Sequence, residues 1–134
     1  MSPWVDMEAS GQSFTDRAAT DPTVQAQTIK FMADTYLAGA DPRSVYAAPH
    51  FGDLRGLPPM LIQVGAGETL LDDSIQLARA AGIADLPVDL QIWPEMIHVW
   101  HTHHTVLSAG TPATAPRGAL LPPNREASTL HGRD

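Results

Sequence analysis

The sequence contains no cysteine, which excludes a disulfide framework, a thiolate nucleophile and a cysteine-ligated zinc site, and fits a cytoplasmic chain. Basic residues are scarce as well. Against 15 Asp and Glu there are 8 Lys and Arg, giving a net charge of −7 and a pI near 5.1. Affinity for nucleic acid comes largely from clustered cations, so nucleic acid is not expected as a partner. No apolar run approaches the roughly 18 residues that span a bilayer. The opening MSPWVDMEAS lacks the basic and apolar regions of a signal peptide. The expectation is a soluble chain.

What is present suits a globular domain. At 134 residues and 14.4 kDa the chain has room for one core. The hydrophobic share is 43% and the charged share 17%, but 12 prolines exceed the usual roughly 5% and imply many breaks between elements.

Periodicity locates those elements. MSPWVDM is short and β-favouring, and reads as a strand end. The polar stretch EASGQSFTDRAAT reads as loop. A helix is expected next, with Asp21 as N-cap, Pro22 at the first helical position, and Ile29, Met32, Ala33, Tyr36 and Leu37 as a core-packing stripe ending before Gly39. After a proline-rich connection, MLIQV at 60–64 reads as a strand buried on both faces. ETLLDDSIQLARAAGI places Leu71, Ile75 and Ala78 on one helical face with Gly82 as its stop. LPVDLQIWP alternates Val88, Leu90 and Ile92 with polar residues, as a strand does. Strand, helix, strand in that order is a βαβ unit, so the sheet is expected to be parallel. From Thr102 onward there is no aromatic residue and no sustained stripe, so 102–134 is read as a disordered tail.

Parallel α/β sheets carry function on the loops beyond the carboxyl ends of their strands. One such loop here holds Glu68 in GAGETLLDD, and the next holds His98 in WPEMIHVW. A carboxylate and a histidine on adjacent loops can meet as the acid and base of a hydrolytic triad.

Five ordered motifs, SPWVD, YLAGADPR, RGLPPMLIQVG, ETLLDDS and WPEMIHVW, together resemble the C-terminal part of the hormone-sensitive-lipase-like family of bacterial α/β-hydrolase carboxylesterases. The likeness runs from about Ser2 to Trp100. It implies an α/β fold: the C-terminal portion of an α/β-hydrolase parallel sheet, about three strands with flanking helices, truncated. Residues 1–101 would be a partial hydrolase domain, with 8–36 similar to the family's cap segment. The resemblance further implies that Glu68 is the triad acid and His98 the general base, that small carboxylic esters are the substrates, and that no cofactor or metal is needed. Asp72 and Asp73 would sit at a helix N-terminus, where the dipole favours negative charge.

The departures from the family are equally specific. Its G-D-S-A-G nucleophile elbow and its HGGG oxyanion loop are both missing, and GQSFT around Ser13 lacks the second glycine. The expectation is therefore a truncated esterase or lipase, inactive alone. Two other readings stay open. One is a non-catalytic remnant that binds or self-associates through an exposed strand edge. The other is a small metal-binding protein using HVWHTHH, where His98, His101, His103 and His104 crowd together. Trp4, Trp93 and Trp100 are read as packing residues.

Overall fold

The apolar run bounded by GLPP and GAG forms strand β1, Met60–Gly65, in the computed structural model, which describes residues 1–107 and 112–113. The alternating stretch forms β2, Val88–Trp93. Three α-helices are present among the described residues: α1, Ser13–Asp16, α2, Ala26–Leu37, and α3, Leu71–Ile83. Short 3-10 turns occupy Pro49–Phe51 and Trp100–His103. Because α3 carries the chain back across the sheet, β1 and β2 pair in parallel, from Met60↔Val88 to Gly65↔Trp93. Leu77, Ala80 and Ala84 of that crossover and its vicinity pack with buried Leu54, Ala81 and Leu86 against Met60 and Val88, forming one core. Phe14, Val24, Ile29 and Leu70 form a second, which binds α1 and α2 to the start of α3.

The order strand, helix, strand follows the hydrophobic pattern, but several details depart from it: Leu61 of β1 and Ile92 of β2, both expected inside, are 38% and 45% exposed. The second helix starts at Ala26 rather than at Pro22, after Gln25 in extended backbone. Asp21 is not its cap, because the carboxylate instead accepts the N–H groups of Thr23 and Val24 and reaches across to Thr69. In the stripe, Ile29 and Ala33 are buried while Met32 and Tyr36 are 49% and 65% exposed. In α3 the inward face is Asp73, Ser74 and Ala81, leaving Ile75 exposed. That helix runs one residue past Gly82 and closes through Asp85, whose φ of 56° is left-handed. The stretch read as loop contains α1.

The strand expected in MSPWVDM does not form, so the sheet has two strands among the described residues rather than about three. Only Ser2 bridges to the strand beside it, its N–H donating to Gln63 O at 2.7 Å. Further along, the N–H groups of Val5 and Asp6 both donate to Asp73 Oδ1 at 2.8 Å. A buried carboxylate is a stronger acceptor than a strand carbonyl, and it draws this segment onto the helix instead of into a ladder. At the other end, the turn Trp100–His103 crosses the boundary expected at residue 101, and Ala113 O accepts from Gln63 Nε2. The remainder of the expected tail, 108–111 and 114–134, lies outside the described residues. Among those described, no helix is long and apolar enough to cross a membrane.

Asp73 is fully buried and its Oδ2 has no partner. Burial pushes its pKa up to about 6, against the opposing pull of the Val5 and Asp6 amides. A carboxyl that holds its proton more tightly folded than unfolded stabilises fully below about 3.8 and loses that contribution as pH rises through about 6. Asp73→Asn keeps an acceptor for both amides and cannot ionise. The difference in stability between this variant and the parent is expected to grow in the variant's favour from pH 4 to 6.5 and then level off, by an amount on the order of 3 kcal/mol, seen as a widening gap in melting temperature. Thermal melts across that range check it; a pH-independent difference would contradict it.

Candidate active site

The carboxyl end of β1 passes through Gly65, Ala66 and Gly67 into Glu68, whose exposure is 0%. Its backbone is held at the next residue: Thr69 donates its N–H to Asp21 Oδ2 at 3.0 Å, while Thr69 O accepts from Ser13 Oγ. Asp21 is itself buried. Desolvation raises its pKa, but the Thr23 hydroxyl and the amides of Thr69, Thr23 and Val24 outweigh that and leave it lowered, so the carboxylate stays charged. The Glu68 side chain turns back under the strand. Its Oε1 accepts from Ser2 Oγ at 2.8 Å and from the Gly65 N–H, and its Oε2 lies 3.1 Å from His98 Nδ1.

His98 arrives from the carboxyl end of β2. The Ala66 N–H donates to Trp93 O at 2.8 Å and the Gly67 N–H to Met96 O at 3.0 Å, which joins the two loops backbone to backbone. That contact explains Gly65: a Cβ there would overlap the Met96 carbonyl. Beyond His98, Val99 adopts φ 46° and opens the 3-10 turn, sending Trp100 and His101 inward while the His98 side chain keeps 23% exposure. A carboxylate only accepts, so in the neutral imidazole the proton sits on Nδ1 and Nε2 carries the lone pair, on the ring edge opposite Glu68. No described residue hydrogen-bonds that Nε2. The arrangement joins a partly exposed imidazole to a buried carboxylate through Nδ1, a geometry that can support general-base chemistry at Nε2.

The neighbouring histidines go elsewhere. His101 is buried on the Trp100 ring at 3.8 Å between centroids, with Nε2 3.2 Å from Gln63 Oε1. Burial first, and the N-terminal charge second, lower its pKa, which keeps it neutral. His103 is exposed beside Thr102. Among the described residues no three metal-ligating side chains converge. Ser13 is buried with its hydroxyl on Thr69 O, and Asp72 accepts its N–H. Trp93 and Trp100 pack at 6.0 Å, and Trp4 donates to Asp6 O.

Sequence reasoning missed Ser2, Gly65 and the reach of Asp21 to Thr69. Asp-Pro-Thr signals an Asx turn and gave some warning of the last. Nothing local marks Ser2, which meets Glu68 from 66 residues away.

A family model described as alpha/beta hydrolase fold matches residues 1–102. An acetyl-hydrolase of Streptomyces hygroscopicus is 48% identical over 121 residues, 90% of this chain and 40% of that one. An esterase of Acinetobacter venetianus is 34% identical over 100 residues, 72% and 32% respectively. Among solved structures, an esterase from the bacterial hormone-sensitive lipase family aligns with a TM-score of 0.82 at 45% identity, over 84% of this chain and 38% of that one. The chain therefore spans about two fifths of the length of such relatives.

The junction of the two loops yields a ranked pair of substitutions. Gly65→Ala forces backbone apart and is expected to cost about 3 kcal/mol or more, or to prevent folding. Gly67→Ala, whose Cβ would stand 3.1 Å from Met96 O, needs a shift of a few tenths of an ångström and is expected to cost about 1 kcal/mol. Denaturant unfolding of both variants measures the ranking, and equal effects would contradict it.

Proposed function

We propose, from the premise that this chain belongs to the α/β-hydrolase fold family, that Glu68 and His98 are the acid and base of a Ser-His-Glu triad that cleaves carboxylic esters. The observation that carries the reading is the 3.1 Å contact between His98 Nδ1 and a fully buried Glu68. In this mechanism His98 Nε2 takes the proton of a serine hydroxyl as the oxygen attacks the ester carbonyl. It then returns that proton to the departing alcohol, leaving an acyl-serine that water hydrolyses with the same base. Glu68 holds the ring in the required tautomer and stabilises the imidazolium. The relatives' names, acetyl-hydrolase and esterase, support small acyl esters as the substrate class.

The nucleophile and oxyanion donors come from outside this sequence, which has no G-x-S-x-G, and the isolated chain is inactive. A second reading, association through the sheet edge, is favoured because, among the described residues, one backbone bond from Ser2 covers β1 on that side. An unpaired edge invites another strand.

The chain alone is expected to give no turnover of p-nitrophenyl acetate above an imidazole control. Mixed with a separately expressed N-terminal portion of a related esterase, it is expected to gain saturable activity that falls about 10³-fold or more in His98→Ala and Glu68→Gln. Saturable turnover by the chain alone overturns the requirement for an outside nucleophile. Activity in the mixture that is indifferent to His98→Ala overturns the triad reading.

A further inference from the structure

A carboxylate that orients a histidine must present one oxygen to it and keep its plane fixed. The terminal torsion of a glutamate is broad, with no rotameric preference sharp enough to do this alone. At Glu68 one oxygen is therefore pinned from two directions. The Gly65 N–H reaches Oε1 from the strand end, and Ser2 Oγ reaches the same oxygen at 2.8 Å from a segment far away in sequence. With two donors on Oε1, rotation that would carry Oε2 away from His98 breaks at least one of them.

Ser2 is itself held with unusual firmness. It is 5% exposed and adopts φ 39°, a left-handed conformation that is costly for a non-glycine residue and persists only where the surroundings over-determine it. Its N–H donates to Gln63 O at 2.7 Å, and three residues on, Val5 and Asp6 are fastened to Asp73. The segment 2–6 is thus a strap tied to β1 at one end and to α3 at the other, with its one buried hydroxyl delivered to the carboxylate.

We infer that Ser2 is a positioning residue, whose hydroxyl fixes the orientation of Glu68 and through it the tautomer and orientation of the His98 ring. The inference rests on reading Glu68 and His98 as an acid and base pair. It acts through Glu68 and does not require Ser2 to touch substrate.

The test reads the ring directly, with no substrate present. In the full chain with ¹⁵N-labelled histidine, His98 is expected to show the Nδ1–H tautomer and a low-field Nδ1 proton. Ser2→Ala is expected to lose that proton signal and to shift the two ring nitrogens toward a mixture of tautomers, while the resonances of His103, which does not contact Glu68, stay unchanged. A folded Ser2→Ala chain with an unchanged His98 ring spectrum would overturn the inference. If Ser2→Ala does not fold, Ser2→Cys keeps the size of the side chain with only a weak donor, and an unchanged ring spectrum there overturns the inference equally. Failure of the triad reading is distinguishable, because it shows in the reconstituted activity's indifference to His98→Ala while the ring spectrum still answers to Ser2.

Discussion

Glu68 sits at 0% exposure between a strand end and a helix start, and its carboxylate must be satisfied by protein alone. Burying an ionised carboxylate without partners costs several kcal/mol, a large share of the roughly 5–15 kcal/mol by which a domain is stable. Everything around the end of β1 answers that demand. Ser2 and the Gly65 amide take one oxygen and His98 faces the other. To bring His98 within reach, the loop after β2 must lie backbone to backbone on the loop after β1, which is possible only because position 65 has no side chain. The parallel pairing of β1 and β2 makes this feasible, since it puts the carboxyl ends of both strands at the same edge.

The central βαβ unit was legible because the order of its elements and the turn residues between them dictate it. MLIQV is compact, apolar and bounded by turn residues, and a helix followed by a second strand leaves one connection open, a parallel crossover, although Leu61 and Ile92 stay exposed. Glu68 and His98 could be picked out by position, one loop after each strand. The N-terminal segment was not legible. Trp4 and Val5 have the composition of a strand, but the acceptor that captures the amides of Val5 and Asp6 is Asp73, far along the sequence and indistinguishable locally from any helix-entry aspartate. Asp21 failed for the same reason. Its sequence context suits a cap, and tertiary contact with Thr69 decided otherwise, moving the start of α2 to Ala26.

The histidine run shows how sequence proximity and spatial convergence come apart. A 3-10 turn rotates each residue by about 120° relative to the last, so His101 and His103, two apart, point to different sides. His98 precedes the turn and faces Glu68, His101 is carried under Trp100 to Gln63, and His103 faces outward. One member of the cluster thus meets a carboxylate while another lies buried and neutral, a division that counting imidazoles does not reveal.

The backbone around the pair is costly. Among the described residues six non-glycine positions have positive φ, and three of them, Ser2, Glu95 and Val99, belong to the segments that hold or present Glu68 and His98. Val99 is β-branched, the residue class least suited to that conformation. Each such position costs on the order of 1–3 kcal/mol, and buried Asp73 adds an ionisation penalty of its own. Offsetting them are two modest cores, one around Leu54, Ala81 and Leu86 and one around Phe14, Val24, Ile29 and Leu70. Half of the positive-φ positions fall in the segments around Glu68 and His98, where the backbone contacts between the two loops over-determine the chain. At Val99 the bend turns the chain from His98, which faces Glu68, directly into the 3-10 turn that buries Trp100 and His101, so one strained residue separates the exposed imidazole edge from the packed one.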